Sequence, residues 1–123
     1  MCDDEIHFEK LKHYAIVPTK NSTNEFNLMS AYDYQILKRN FCNVKTEIKP
    51  KIPASFYFEI KEVPNFSRQY DSGIINWLLN LDENGGIDIK MMNYSSTRNL
   101  KILKGDVVAR LVCKEYPIPM EVD

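Results

Sequence analysis

Four stretches of this 123-residue chain alternate apolar and polar side chains with a period of two. Val44, Thr46 and Ile48 interleave with Lys45, Glu47 and Lys49, and Phe56, Phe58 and Ile60 interleave with Tyr57, Glu59 and Lys61. Ile87, Ile89 and Met91 interleave with Asp88 and Lys90. Successive side chains of an extended chain point to opposite sides, so this period predicts strands with one face on a core and one toward water. The fourth stretch sets Val107, Ala109, Leu111 and Cys113 against Val108, Arg110 and Val112. It is apolar on both faces except at Arg110, the pattern of a strand in the middle of a sheet. No long run carries a helical period; residues 65–70 could make one short turn.

The breaks between these stretches carry turn chemistry. Pro50 and the Pro53, Ala54, Ser55 run separate two strands, and Asn84, Gly85 and Gly86 supply the positive φ of a tight hairpin. Lys104, Gly105 and Asp106 turn the chain into the last strand. Short strands with turns about every ten residues predict a β-sandwich or barrel. With 44% apolar and 27% charged residues, the composition is that of an ordinary globular protein. The length suits one core, so residues 1–123 read as a single all-β domain without repeat or linker.

Charge and targeting narrow the function. A net charge of −1 draws the chain to neither nucleic acid nor an anionic membrane. The acidic N-terminus has no apolar signal region, and runs such as residues 74–79 are too short to span a bilayer. An intracellular protein is expected, with no membrane and no nucleic-acid partner. Cys2, Cys42 and Cys113 are odd in number and form no C-x-x-C pair, which predicts free thiols with Cys113 in the core. Asn21, Asn65 and Asn93 head glycosylation sequons that have no use without export. High Asn, Lys and Ile usage is compatible with an AT-rich genome, including a viral one.

Few residues advertise chemistry. His7 and His13 lack a third ligand at a metal spacing and read as surface residues, so no metal site is expected. There is no phosphate-cradling P-loop, no G-x-G-x-x-G and no nucleophile elbow. Lys45, Lys49 and Lys51, with Glu47 between them, read as a solvated strand face or, alternatively, a phosphate contact. Asp82, Glu83 and Asp88 lie near the hairpin turn, where acids commonly serve turn geometry and solubility.

Four segments in order carry a resemblance. They are AIVPT at 15–19, SAYDYQI at 30–36, NVKTEI at 43–48 followed by IPASFY at 52–57, and KGDVVARLVC at 104–113. Together they resemble the trimeric deoxyuridine triphosphatase (dUTPase) family over residues 8–119. The resemblance implies a distorted β-barrel or jelly roll that forms a homotrimer, and an activity that hydrolyses dUTP with magnesium.

The family's site residues do not carry over. Its first motif, A-G-Y-D-L, falls on EFNL at 25–28, so Asn27 stands where an aspartate helps hold the hydrated magnesium. Its phosphate-gripping P-R-S-G falls on EVPN at 62–65, where Glu62 would repel a triphosphate and Pro64 has no amide to donate. Its third motif, G-x-I-D-x-x-Y-R-G, puts Asn80 at the catalytic aspartate and Glu83 at the tyrosine that stacks on the sugar. Asn84 then takes the arginine position and Gly85 the glycine. A neutral amide cannot take a proton from the attacking water. Arg110 replaces a phosphate-contacting glutamine, and the glycine-rich arm that closes over the nucleotide is expected to be absent after residues 120–123.

The resemblance therefore implies a catalytically inactive, dUTPase-like binding, regulatory or structural module. Its vestigial pocket would comprise Asn27, Pro64, Asn80, Glu83, Gly85 and Arg110, with no cofactor. The alternative is a divergent dUTP pyrophosphatase or nucleotide-binding protein that uses Asp82, Glu83 or Asp88 with magnesium. For a binding protein, candidate surfaces are residues 62–70 and the hairpin 81–86. Trp77 and Leu78 replace small residues of the family, and Trp77 is expected in the core or in trimer packing.

Overall fold

The computed structural model describes residues 6–64 and 71–116, so the turn considered at 65–70 lies outside the described residues. Eleven strands run through them: β1 (His7–Lys10), β2 (Thr19–Ser22), β3 (Glu25–Met29), β4 (Tyr34–Ile36), β5 (Phe41–Lys45), β6 (Ile48–Lys51), β7 (Phe56–Lys61), β8 (Ser72–Ile74), β9 (Asp88–Asn93), β10 (Leu100–Ile102) and β11 (Val107–Glu115). They form a four-stranded sheet β2-β3-β11-β7, a three-stranded sheet β5-β9-β8, and two pairs, β1-β6 and β10-β4. Every pairing is antiparallel. The sheets curl around one apolar cluster that includes Leu28, Val44, Phe58, Ile89, Ile102 and Leu111, giving a distorted barrel of the jelly-roll kind.

Alternation places β7 and β11 as expected. Phe56, Phe58 and Ile60 are buried while the residues between them face outward. β11 lies between β3 and β7, and Cys113 is buried. Its inner residues exclude water on one face while Arg110 and Val112 stay half-buried on the other. Gly105 at φ 93 makes the turn into β11, closed by the Asp106 amide donating to the Leu103 carbonyl. Asn93, the head of one sequon, is buried, and its side-chain amide donates to the carbonyls of Ile36 and Arg98.

The stretch around residues 44–49 is not one strand. β5 ends at Lys45 and β6 begins at Ile48. The Ile87 carbonyl accepts from Thr46 and the Ile87 amide donates to Ile48, so Glu47 is an extra residue opposite Ile87, at φ 56. The bulge turns Glu47 away from the lysines and buries it, which corrects its assignment to the solvated Lys45, Lys49, Lys51 face. Pro50 does not separate strands either: it is a buried residue within β6, opposite Phe8 of β1. β6 pairs with a strand on one side only, where a missing amide is tolerated.

Burial of Glu47 is met by the loop between β3 and β4. The Tyr32 hydroxyl donates to the Glu47 carboxylate, and the Tyr14 hydroxyl lies 2.6 Å from that of Tyr32. These bonds, the one to Glu47 first, push the Tyr32 phenol well above its usual range. The same loop and the first residue of β4 tie in the end of β5 and the turn before β11. The Ala31 amide donates to the Lys45 carbonyl, the Tyr34 hydroxyl accepts from the Lys45 amide, and Asp33 accepts from the Lys104 amide at 2.7 Å.

Removing the donor from a buried carboxylate costs its desolvation penalty. Tyr32→Phe is expected to lose about 1–3 kcal/mol. Tyr14→Phe, which leaves the bond to Glu47 in place, should lose about 1 kcal/mol or less. Urea denaturation midpoints of the two variants check this order.

Candidate functional site

The hairpin before β9 is built around Asp82. Its amide donates to the Gly86 carbonyl at 2.8 Å, and the Gly85 amide returns to the Asp82 carbonyl at 3.0 Å. Gly85 sits at φ 85, as the turn residues predict. The Asp82 Oδ1 accepts from the amides of Asn84 at 2.9 Å and Gly86 at 3.0 Å, while Oδ2 lies 3.4 Å from the Lys45 Nζ. A Cβ on Gly86 would come within 3.2 Å of that carboxylate and 3.0 Å of the Leu11 Cδ1, so glycine lets the loop close over the acid. Burial pushes the Asp82 carboxyl up, but the Gly86 and Asn84 amides and the Lys45 ammonium outweigh it and hold the group below the usual range.

Asn80 and Glu83, at the aspartate and tyrosine positions of the resemblance, are both exposed. The Asn80 carbonyl accepts from the Asp88 amide at 2.9 Å. Asp88 does not join an exposed acidic cluster at the turn: it is buried on β9, opposite Lys45 of β5. Its Oδ1 has no hydrogen-bond partner. Burial pushes the Asp88 carboxyl up, against the pull of Lys45. Alternation gave no sign of the Lys45–Asp82 pair, which joins residues 37 positions apart in sequence.

The remaining pocket candidates lie on the four-stranded sheet. Thr19, Asn27, Arg110 and Lys61 form one row across β2, β3, β11 and β7. The Asn27 amide donates to the Thr19 Oγ1 at 3.2 Å, and Lys61 pairs with Glu25 at 3.4 Å. The Arg110 Nε is buried and makes no hydrogen bond. Glu62 serves the fold by accepting from the Ile74 amide at 2.9 Å, and Pro64 is exposed at the edge of the described segment. The structure thus unites Asn27 with Arg110, and Asn80 with Glu83 and Gly85. Among the described residues no hydrogen bond or ion pair links Asn27 or Arg110 to the hairpin.

The residues present do not fit a metal held by protein ligands. Asp82 spends its oxygens on two amides and an ammonium, Asp88 is buried beside Lys45, and Asn27 is neutral. Among the described residues no three His, Cys, Asp or Glu side chains come together as ligands. His7 and His13 are exposed, and the His13 ring meets Tyr14 edge-on.

The two aspartates predict opposite pH responses. The raised carboxyl of Asp88 contributes stability that is full below its unfolded value near 3.8 and is lost as pH rises through the folded value. Asp88→Asn should therefore raise Tm at pH 7 relative to the parent and leave it nearly unchanged at about pH 3.5. The depressed carboxyl of Asp82 contributes stability above 3.8 that is lost as pH falls through its folded value. Asp82→Asn should lower Tm at pH 7 and make less difference in acid. Thermal melts at the two pH values check both signs.

The family model for dUTPase matches residues 13–123. The chain is 25% identical over 119 residues to the deoxyuridine 5'-triphosphate nucleotidohydrolase of Rattus norvegicus, covering 95% of this chain but 58% of that protein. It is 27% identical over 118 residues to the enzyme of the same name from Fowlpox virus (strain NVSL), covering 94% of this chain and 81% of the viral one. Among solved structures, the dUTPase of phage phi11 of S. aureus superposes with a TM-score of 0.79 at 16% identity, covering 96% of this chain and 94% of that one. The dUTPase of Staphylococcus bacteriophage 80alpha gives a TM-score of 0.80 at 15% identity, covering 98% and 96%. It is described among phage dUTPases that control transfer of virulence genes. With a match over most of its length and the same fold, the chain belongs to the dUTPase family.

Proposed function

We propose that this member of the dUTPase family acts by binding rather than by hydrolysis, as a homotrimer that engages another protein. The observation that carries the reading is the state of the hairpin acids. Asn80 occupies the position of the catalytic aspartate, and its amide has no basic site for a proton. The nearest carboxylate in sequence, Asp82, is committed to the turn and held below the usual carboxylate range, which makes it a weak base. Glu83 brings negative charge to the sugar position, Asn27 removes a charge from the metal position, and Pro64 has no amide for a phosphate. A role in control has a parallel among structural neighbours, since the phage dUTPases above are described as controlling transfer of virulence genes.

The relatives' own names support a second reading, residual dUTP hydrolysis with magnesium through Asp82, Glu83 or Asp88, or nucleotide binding through Arg110. Pyrophosphate release from dUTP with magnesium separates the readings. Release is expected to stay at background, with an active dUTPase as the positive control. Release above background that Asp82→Asn abolishes would overturn the binding reading and make the chain a rewired enzyme. Calorimetry with dUMP then tests whether the pocket still takes a nucleotide.

A further inference from the structure

The arm that enters the hairpin is longer than the stretch of β9 it faces. The Ile75 amide donates to the Lys90 carbonyl at 2.8 Å, and the Asp88 amide donates to the Asn80 carbonyl at 2.9 Å. Between these two ties the entering arm has four residues, 76–79, and β9 has only Ile89. The longer arm therefore bows away from β9. It is held out by β7: the Trp77 carbonyl accepts from the Ile60 amide at 2.6 Å, and the Leu79 amide donates to the Phe58 carbonyl at 3.3 Å. Trp77 sits on the bow, 62% exposed beside an apolar groove, and so is not in the core, contrary to one of the two expectations for it.

The bow leaves the Lys90 N–H and the Asp88 C=O of β9 without a main-chain partner across the gap, and such groups must be met by something. One side chain meets both. The Asn76 Oδ1 accepts from the Lys90 amide at 2.7 Å, and the Asn76 Nδ2 donates to the Asp88 carbonyl at 3.2 Å. The orientation of the amide follows, because a backbone N–H can only donate and a carbonyl can only accept.

We propose that Asn76 is a built-in occupant of a nucleobase slot on the edge of β9, and that its amide keeps the slot closed to a uracil-type base. This rests on the reading that the chain binds rather than hydrolyses, and it names what excludes a nucleotide from the hairpin. The chemistry of the two ends matches. A primary amide sets a donor beside an acceptor in one plane, and the pairing edge of uracil does the same with its N3–H and a ring carbonyl oxygen. The place matches as well. The same hairpin carries Asn80 and Glu83, which stand at the catalytic aspartate and the sugar-stacking tyrosine of the resemblance. The gap, finally, does not depend on its occupant, because bonds to β7 hold the bow and Asn76 only bridges it.

Calorimetry of dUMP with the full chain is compared for the parent, Asn76→Ala and Asn76→Ser. Trimming Asn76 frees both main-chain groups for the base. The parent is expected to give no heat at a dUMP concentration that saturates the variants, a difference of about tenfold or more for two hydrogen bonds. dUMP methylated at N3, which has lost its donor, should show no such gain. Exchange of the Lys90 amide, followed by NMR, should be slow in the parent, fast in the variants and slow again when they hold dUMP. Circular dichroism verifies folding, and Asn76→Ser carries the comparison where Asn76→Ala does not fold.

Folded variants that bind dUMP no better than the parent overturn the plug and leave Asn76 as a structural tie, with the non-hydrolytic reading still standing. A gain shared by the N3-methylated ligand overturns it too, since that ligand cannot donate to the Asp88 carbonyl. The non-hydrolytic reading is judged separately, by pyrophosphate release from dUTP, because dUMP has no pyrophosphate to lose.

Discussion

A buried carboxylate sets how this barrel closes. Glu47 occupies the left-handed region at a bulge, and its side chain leaves water for a site that must supply a donor. Tyr32 supplies it, and with Tyr32 comes the whole loop between β3 and β4. That loop and the start of β4 fasten to Lys45 through Ala31 and Tyr34, and to the turn before β11 through Asp33, which accepts from the Lys104 amide, and Ser30, whose carbonyl accepts from the Gly105 amide. The three-stranded sheet, the β10-β4 pair and the entry to the central strand are thus joined at one place. Such a network, fully satisfied, favours a single arrangement of the sheets.

From that join, one connection leads to the hairpin. Lys45, whose backbone is held by the loop, sends its side chain to Asp82. Burial lowers the Lys45 ammonium, but the attraction of Asp82 outweighs it and leaves the group raised. Asp82 is therefore the charge that folds the turn. Two hydrogen bonds from backbone amides and an ion pair hold Asp82 in a nearly closed position. Family membership speaks to the fold, and function resides in the atoms of a site grafted on it.

Legibility in the sequence followed how local each cause is. Period-two patterning placed β7, β9 and β11, and apolarity on both faces marked β11 as central. Glycine chemistry placed the turns at Gly85 and Gly105. The same patterning failed at Glu47 alone: the bulge opposite Ile87 buries it, while Ile48 and Pro50 stay buried and Lys49 and Lys51 exposed in the phase the pattern predicts. Turn chemistry failed at Pro50 because tolerance of proline depends on whether a strand has a neighbour on both sides, and pairing is not written in any single stretch. Asn27 and Arg110 were assigned to one site by resemblance, and the register of β3 on β11 sets them opposite each other.

By itself, then, the sequence determined the all-β class, the identity of the central strand and the turn positions. Each depends on residue type or on neighbours a few positions away. Only the tertiary structure decided that Glu47 and Asp88 are buried, that Asp82 is bound to Lys45, and that Trp77 stands out beside an apolar groove. Burial and pairing depend on residues tens of positions apart meeting across sheets, and the free energy of a carboxylate or an indole depends on what it meets there.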